Sequence, residues 1–180
     1  RIQSITRLLF HFLMPFSNEE ILHFVQETIG EGLLQSSEPY DLLTVEVRPD
    51  ALLPLVGALK NHPQYQFTFM TDLCGMHIPE QTGRELGAVY IFHSWTSNTR
   101  IRVKTFAPIS QPDIPSMTAH FNSANWMERE TYDFFGINFT GHPNLVRILN
   151  VDDMDYFPLR KEYPLEDQVR RDKVDSMFGR

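Results

Sequence analysis

Residues 128–143 read Glu-Arg-Glu-Thr-Tyr-Asp-Phe-Phe-Gly-Ile-Asn-Phe-Thr-Gly-His-Pro, which combines charged, aromatic and turn-forming residues in one short stretch. Its first eight residues favour a helix, and Gly136 is placed to end it. Gly141 and Pro143 flank His142, and this arrangement indicates a tight turn. The stretch therefore predicts a helix followed closely by a turn, with charges held in a fixed geometry.

Four charged residues of this stretch, Glu128, Arg129, Glu130 and Asp133, fall within two helical turns. Arg129 and Asp133 are four residues apart, so the spacing predicts that they pair on one helix face. Because large aromatic residues surround these charges, we interpret them as a buried or interfacial polar network that fixes the position of a partner. The alternative interpretation is an ordinary solvated helix face.

A catalytic interpretation is also open. Glu130 and Asp133 have the proximity that splits carboxyl pKa values in acid–base enzymes, and His142 supplies a third group. A metal site lacks support, because no His or Cys lies two to four residues from His142 and no HExxH motif occurs. The expected role of His142 is structural, with its imidazole bonded to backbone or to a carboxylate across the turn.

A second dense stretch, residues 158–165, reads Pro-Leu-Arg-Lys-Glu-Tyr-Pro-Leu. Arg160 and Lys161 are candidates for binding phosphate or an anionic lipid. Acidic residues flank them on both sides and weaken an anion site. The stretch therefore favours a docking segment that pairs with charges on another subunit.

Together, residues 128–143 and 158–165 resemble the signature of the C subunit, or thirty-kilodalton subunit, of respiratory complex I (NADH:quinone oxidoreductase). The likeness covers about residues 42–165. It departs from the family pattern before Pro158, where Met154 and Tyr156 stand in place of the usual Trp and Gly. Further stretches that resemble the family are 72–75, 89–90, 98–104 and 144–149, together with Trp126.

The resemblance implies a cofactor-free, non-catalytic subunit of the hydrophilic arm. Its partners would be the quinone-site subunit, of the forty-nine-kilodalton type, and the neighbouring iron–sulfur subunit. The implied location is peripheral, on the cytoplasmic face of the bacterial inner membrane, and the chain would meet the membrane only through the complex. The alternative within this class is the equivalent subunit of a membrane-bound nickel–iron hydrogenase complex. The residues that match the signature and are expected at a subunit interface are Glu128, Arg129, Glu130, Asp133, Gly136, Phe139, Gly141, His142, Pro143, Arg147, Pro158, Leu159, Arg160 and Lys161.

Composition excludes several other classes. The formal net charge of −7 argues against a nucleic-acid binder, which needs basic phosphate contacts. A single cysteine, Cys74, cannot supply the thiolates of a common iron–sulfur cluster. No GxGxxG or GxxxxGK[ST] motif is present, so no flavin or nicotinamide site is expected. No apolar run is long enough for a membrane-spanning helix.

The predicted fold is α+β, with a mostly antiparallel or mixed sheet and helices on one face. We expect an N-terminal segment of uncertain role (1–16), one domain (17–148) and an extended C-terminal docking arm (149–180). A capping box at Ser17 predicts the first helix, and either Ser123 or Asn125 is expected to cap the last. The remaining predicted elements are strands near 43–47, 66–73, 88–95 and 100–106 and helices near 52–59 and 126–135.

Overall fold

A computed structural model of the chain describes residues 16–163, and within them the fold is α+β with a mixed sheet, as predicted. Residues 1–15 and 164–180 lie outside the described part. The helices are α1 (Asn18–Ile29), α2 (Pro49–Asn61) and α3 (Ala124–Phe135). The strands are β1 (Leu33–Ser37), β2 (Thr44–Val47), β3 (Phe69–His77), β4 (Leu86–Ser94), β5 (Thr99–Ala107), β6 (Asp113–Pro115) and β7 (Asn138–Thr140).

The main sheet has five strands in the order β1-β2-β5-β4-β3. Strand β2 runs parallel to β5, and the other neighbours are antiparallel. Strands β4 and β5 form a hairpin, with Ser94 opposite Thr99. A parallel pair needs a long crossover, and here α2, β3 and β4 supply it.

The hydrophobic core lies on one face of this sheet. Val103 on β5 and Tyr90 on β4 point into it, and α1 and α2 contribute Val25 and Leu55. Helix α3 approaches β3 closely, because a Cβ added at Gly75 would overlap the ring of Phe135. All three helices thus pack on the same side, as expected.

The first residues of α1 and α2 explain two local features: the cap of α1 and the position of Pro54 within α2. The capping box of α1 is formed, since Ser17 accepts from the Glu20 amide at 3.2 Å and Glu20 accepts from the Ser17 amide at 2.9 Å. Helix α2 begins at Pro49, so Pro54 lies in its interior. Proline is normally tolerated only in the first turn of a helix, and Pro54 is an exception to that rule.

A two-stranded parallel sheet, β6 with β7, was not predicted. Ile114 on β6 pairs with Phe139 on β7, and both side chains are buried. Strand β7 follows α3 directly, and its pairing with β6, which precedes the helix, fixes the direction of the chain as it leaves α3. It therefore positions the turn at His142.

Residues 149–163 contain no helix or strand and are hydrogen-bonded to the domain. That residues 149–180 act as a docking arm stays a prediction, and residues 164–180 lie outside the described part. Among the described residues, no helix has both the length and the apolar character needed to cross a membrane.

Candidate functional site: the clasp around helix α3

Gly136 ends α3 in the left-handed conformation, with φ 72° and ψ 29°. Its amide donates to the Tyr132 carbonyl at 2.8 Å, the usual way to close a helix end. A Cβ at this position would lie 2.5 Å from both Phe157 and Arg160. Glycine is therefore required both for the backbone conformation and for the close approach of the segment near residue 160.

Asp133 is the centre of the site, and its side chain is fully buried. One carboxylate oxygen accepts from the amides of Ile148, Leu149 and Asn150 at 2.8–3.0 Å. The other accepts from Arg147 at 2.7 Å and from the Asn150 side chain at 3.0 Å. Burial alone would raise the pKa of Asp133, but these donors hold it far below its usual range.

Arg147 extends the same network to the following segment. Besides Asp133, its guanidinium donates to the carbonyls of Met154 at 2.7 Å and Tyr156 at 3.0 Å. It also lies over the ring of Phe157, 5.1 Å from the centroid. One arginine thus joins α3 to residues 154–157. We call the group formed by Asp133, Arg147 and the backbone they bind the clasp.

Arg129 does not pair with Asp133, which corrects the expectation from their spacing. Its guanidinium donates to the carbonyls of Val146 and Arg147, both at 3.0 Å, and lies over the exposed Trp126 ring. Asp133 instead pairs with Arg147, fourteen residues further along the chain. Arg129 and Asp133 therefore bind the same loop, one through its carbonyls and the other through its amides.

Glu128 is fully buried and belongs to a separate cluster. Its carboxylate accepts from the Ser116 hydroxyl at 2.7 Å and from the Met117 amide at 2.5 Å. Burial raises the pKa of Glu128 to about 7, although both hydrogen bonds act in the opposite direction. This carboxyl therefore ties α3 to the segment after β6 and titrates near neutral pH.

His142 has the structural role predicted for it. Its Nε2 lies 3.1 Å from the Asn125 carbonyl, and its Nδ1 accepts from the Asn144 amide at 3.0 Å. This pair of bonds requires the tautomer with the proton on Nε2. The ring connects the first turn of α3 to the turn in which Gly141 has a φ of 85° and Pro143 is exposed.

The second signature stretch packs against the C-terminal end of α3. The Leu159 amide donates to the Phe134 carbonyl at 3.1 Å, and Arg160 Nε donates to the Phe135 carbonyl at 2.7 Å. The Lys161 amide donates to Nδ1 of His77 on β3 at 2.9 Å. The two stretches that stand apart in the sequence therefore form one structural unit, in which Pro158 is half-buried.

The three groups of the catalytic alternative differ in environment. Glu130 is exposed, Asp133 is buried and fully hydrogen-bonded, and His142 binds backbone. A groove of about 540 Å³ lies elsewhere, between the start of α1 and the β4–β5 turn, and none of the three lines it. Within residues 16–163, no group of three His, Cys, Asp or Glu side chains is arranged to hold a metal ion.

Several members of the site were not anticipated from the sequence. Ser116 hydrogen-bonds to Glu128, 12 positions away, and His77 hydrogen-bonds to Lys161, 84 positions away. The sequence around Ser116 and His77 does not indicate these contacts. Most partners of Asp133, Arg129 and Arg147 are backbone groups, which every residue type carries. Asn150 alone could have been proposed from the sequence, because it is a polar residue three positions after Arg147.

The family model for the 30 Kd subunit of respiratory-chain NADH dehydrogenase matches residues 45–169. The chain belongs to this family. The match includes the clasp, the Glu128 cluster and most of the main sheet, close to the extent of 42–165 predicted from the sequence.

Curated relatives agree with this assignment. The NADH-quinone oxidoreductase C subunit of Mycobacterium ulcerans (strain Agy99) is 49% identical over 123 residues, which are 68% of this chain and 52% of the relative. The C subunit of Mycobacterium tuberculosis (strain ATCC 25618 / H37Rv) is 48% identical over 125 residues, which are 69% of this chain and 53% of the relative. The chain thus spans about half the length of the curated relatives it matches.

Solved structures share the fold. A trypsin-resistant fragment of Nqo5 (residues 1–134) matches with a TM-score of 0.62 and 26% identity, covering 72% of this chain and all of the fragment. A chain of the membrane-bound sulfane sulfur reductase, an archaeal respiratory membrane complex, matches with a TM-score of 0.67 and 21% identity. That match covers 83% of this chain and 87% of the other, and it shows the fold alone.

Proposed function

We propose that this chain is a cofactor-free scaffold subunit in the hydrophilic arm of a proton-pumping NADH:quinone oxidoreductase. It carries no electrons itself and holds the quinone-site subunit, of the forty-nine-kilodalton type, in position. It lies beside the neighbouring iron–sulfur subunit, at the cytoplasmic face of the bacterial inner membrane. The family match and the names of the curated relatives support the choice of complex.

The observation that carries the scaffold role is how the signature charges are used. Asp133 and Arg147 use their hydrogen-bonding capacity within the chain, on backbone groups and on each other. A catalytic carboxylate has to reach a substrate, whereas this one is buried and saturated. The clasp instead gives the loop after α3 a defined shape, which a docking surface requires.

The absence of a cofactor is part of the proposal. It is supported by the single cysteine and by the lack of any nucleotide-binding motif in the sequence. Metal analysis and visible absorption of the pure chain test it. A stoichiometric metal or a flavin band would refute it.

Assembly with the quinone-site subunit tests the scaffold role directly. The tagged full chain, expressed with that subunit, should retain it through purification. Asp133→Asn should retain much less, while Glu19→Gln, an exposed carboxyl-to-amide change on α1 outside the signature stretches, should bind as the wild type does. If Asp133→Asn captures the partner fully, the clasp does not shape the docking surface.

A subunit of a membrane-bound nickel–iron hydrogenase complex is the alternative assignment. The fold does not separate the two, because it also occurs in the sulfane sulfur reductase complex. Gene neighbourhood does: an NADH-binding flavoprotein gene nearby supports the proposal, and a nickel–iron hydrogenase gene nearby supports the alternative.

A further inference from the structure

The main sheet has a second face, opposite the helices, which we call the outer face. On β5, Ile101 and Val103 point into the core, so Arg100, Arg102 and Lys104 point outward. Arg100 is exposed, and the other two are partly exposed. The outer face therefore presents three adjacent cations on a central strand.

These three cations are unusual for this protein. They span about 13 Å along β5 at alternate positions, so each repels the next. None of them forms an ion pair with another described residue. Two carboxylates lie on the same face: Glu46 is in register with Lys104 but pairs with Arg84, and Asp72 shares a cross-strand row with Arg102. The chain as a whole carries a net charge of −7, so the row is a local exception.

An aromatic pair lies at one end of the same face. Trp95 is 66% exposed and Phe69 is 42% exposed, and their ring centroids are 5.4 Å apart. Trp95 also contacts His93, whose partner across the β4–β5 pair is Arg100. Exposed Trp, other aromatic residues and Arg in one patch are the residue types that dominate binding energy at protein interfaces.

We propose that the outer face is a second docking surface, separate from the clasp, which binds an acidic segment of a neighbouring subunit. Two or three carboxylates of that segment lie against Arg100, Arg102 and Lys104. An apolar side chain of the segment packs on Phe69 and Trp95.

The chemistry of the face selects this occupant. A segment with carboxylates beside an apolar side chain satisfies both halves of the patch, whereas a phosphate would satisfy only the cations. The protein's net negative charge opposes a nucleic acid. The aromatic pair of this surface lies far from the clasp. Phe69 begins β3, whereas His77, which accepts from the Lys161 amide, ends this strand about 26 Å away.

Cys74 makes the proposal directly testable. It is the single cysteine of the chain, it is exposed, and it lies on the outer face in the row Cys74, Val89 and Lys104. Maleimide labelling of Cys74 is measured in the isolated full chain and in the assembled, membrane-bound complex. Burial and Asp72 raise the pKa of the Cys74 thiol, so both reactions are run at the same mildly alkaline pH.

We expect labelling of Cys74 to slow at least about tenfold on assembly. The control is a Cys74→Ser, Gln81→Cys chain, whose exposed thiol in the β3–β4 turn should label at about the same rate in both states. Arg100→Glu should restore labelling of Cys74 in the complex, while Arg48→Glu, an exposed change at the start of α2, should not. The milder Arg100→Gln guards against a folding defect and should act in the same direction.

Two results overturn the proposal. Equal labelling in the complex and the isolated chain means that the face is not covered on assembly. Protection already present in the isolated chain means that the face is covered by the chain itself or by a second copy. The proposal rests on the proposed function, in which the chain is a subunit of a complex. If the chain is not a subunit, it will be missing from the purified complex, and this result differs from equal labelling of Cys74 in a complex that contains the chain.

Discussion

Asp133 is the residue on which the shape of the chain beyond α3 depends most. Its side chain gathers three consecutive backbone amides, one arginine and one amide side chain. A carboxylate can accept about four hydrogen bonds, so its capacity is filled. No other acidic residue in the described part of the chain has as many donors.

Asp133→Asn should destabilise the isolated chain by about 3–5 kcal/mol, because it leaves Arg147 largely buried without its counter-ion. Urea unfolding measures the free energy of unfolding, and Glu130→Gln should change it by less than about 0.5 kcal/mol. The folded pKa of Asp133 is lowered, so its stabilisation is present above the unfolded value and is lost as pH falls through the folded value. The deficit of Asp133→Asn should therefore shrink only in strong acid.

Glu128 gives the opposite pH dependence. Its folded pKa of about 7 is above the usual value of 4.5, so the folded state binds the proton more tightly. The stabilisation is complete below the unfolded value and is lost as pH rises through the folded value, about 3 kcal/mol in all. Unfolding free energies at about pH 5 and about pH 8 should differ more in the wild type than in Glu128→Gln. An identical pH dependence in both proteins would contradict the assignment.

The composition of the site was predictable from the sequence, and its pairing was not. Residues 128–143 contain the residues that build the clasp from the side of α3, and the structural role of His142 follows from its neighbours. The partner of Asp133 was misjudged because Arg129 is at helical spacing, while Arg147 comes from a loop. Spacing predicts contacts within an element, and contacts between a helix and a loop depend on the path of the chain.

At the scale of elements, segments with a clear hydrophobic pattern were predicted, including the four-residue β2, and segments without such a pattern were missed. Strands β4 and β5 have nine residues each and alternate or continue in hydrophobicity, so composition revealed them. Strands β6 and β7 have three residues each, and β1 is mostly exposed, so neither pattern nor burial marks them. The parallel pairing of β2 with β5 was not foreseeable, because it depends on tertiary packing.

The proline inside helix α2 allows a test of how much stability an interior proline costs this chain. Pro54 lies in the helix interior, where it lacks the amide that would bond one turn back. Pro54→Ala restores that donor on an exposed position and should stabilise the chain by about 1–2 kcal/mol, net of the loss of proline's restraint on the unfolded state. Pro49→Ala is the matched control, since proline at the first helical position is well tolerated. A destabilised Pro54→Ala chain would show that the ring itself packs on a neighbour.

At the scale of the whole molecule, the two signature stretches act as one body. Arg160 and Lys161 attach the second stretch to α3 and β3. Arg147 attaches the residues just before that stretch, Met154 and Tyr156, to Asp133. Residues from α3 to 163 are therefore joined by hydrogen bonds into one packed unit, which under the proposed function would meet the partner as a whole. A change inside this body should affect how much complex assembles before it affects turnover in the complex that has assembled.

Arg129→Ala tests that order of effects. It removes two charge-assisted hydrogen bonds to the carbonyls of Val146 and Arg147 and should destabilise the loop by about 2 kcal/mol. Assembled complex, measured on native gels, and NADH:quinone reductase activity of the membranes should then fall in proportion. Activity per assembled complex should stay near that of the wild type, as it should in the surface control Arg48→Ala. The opposite result, full assembly with lost turnover, would mean that this helix takes part in quinone chemistry or its coupling. Disruption of the clasp would not explain that loss, because Arg129 does not contact Asp133 and the Asp133–Arg147 pair stays intact in the variant.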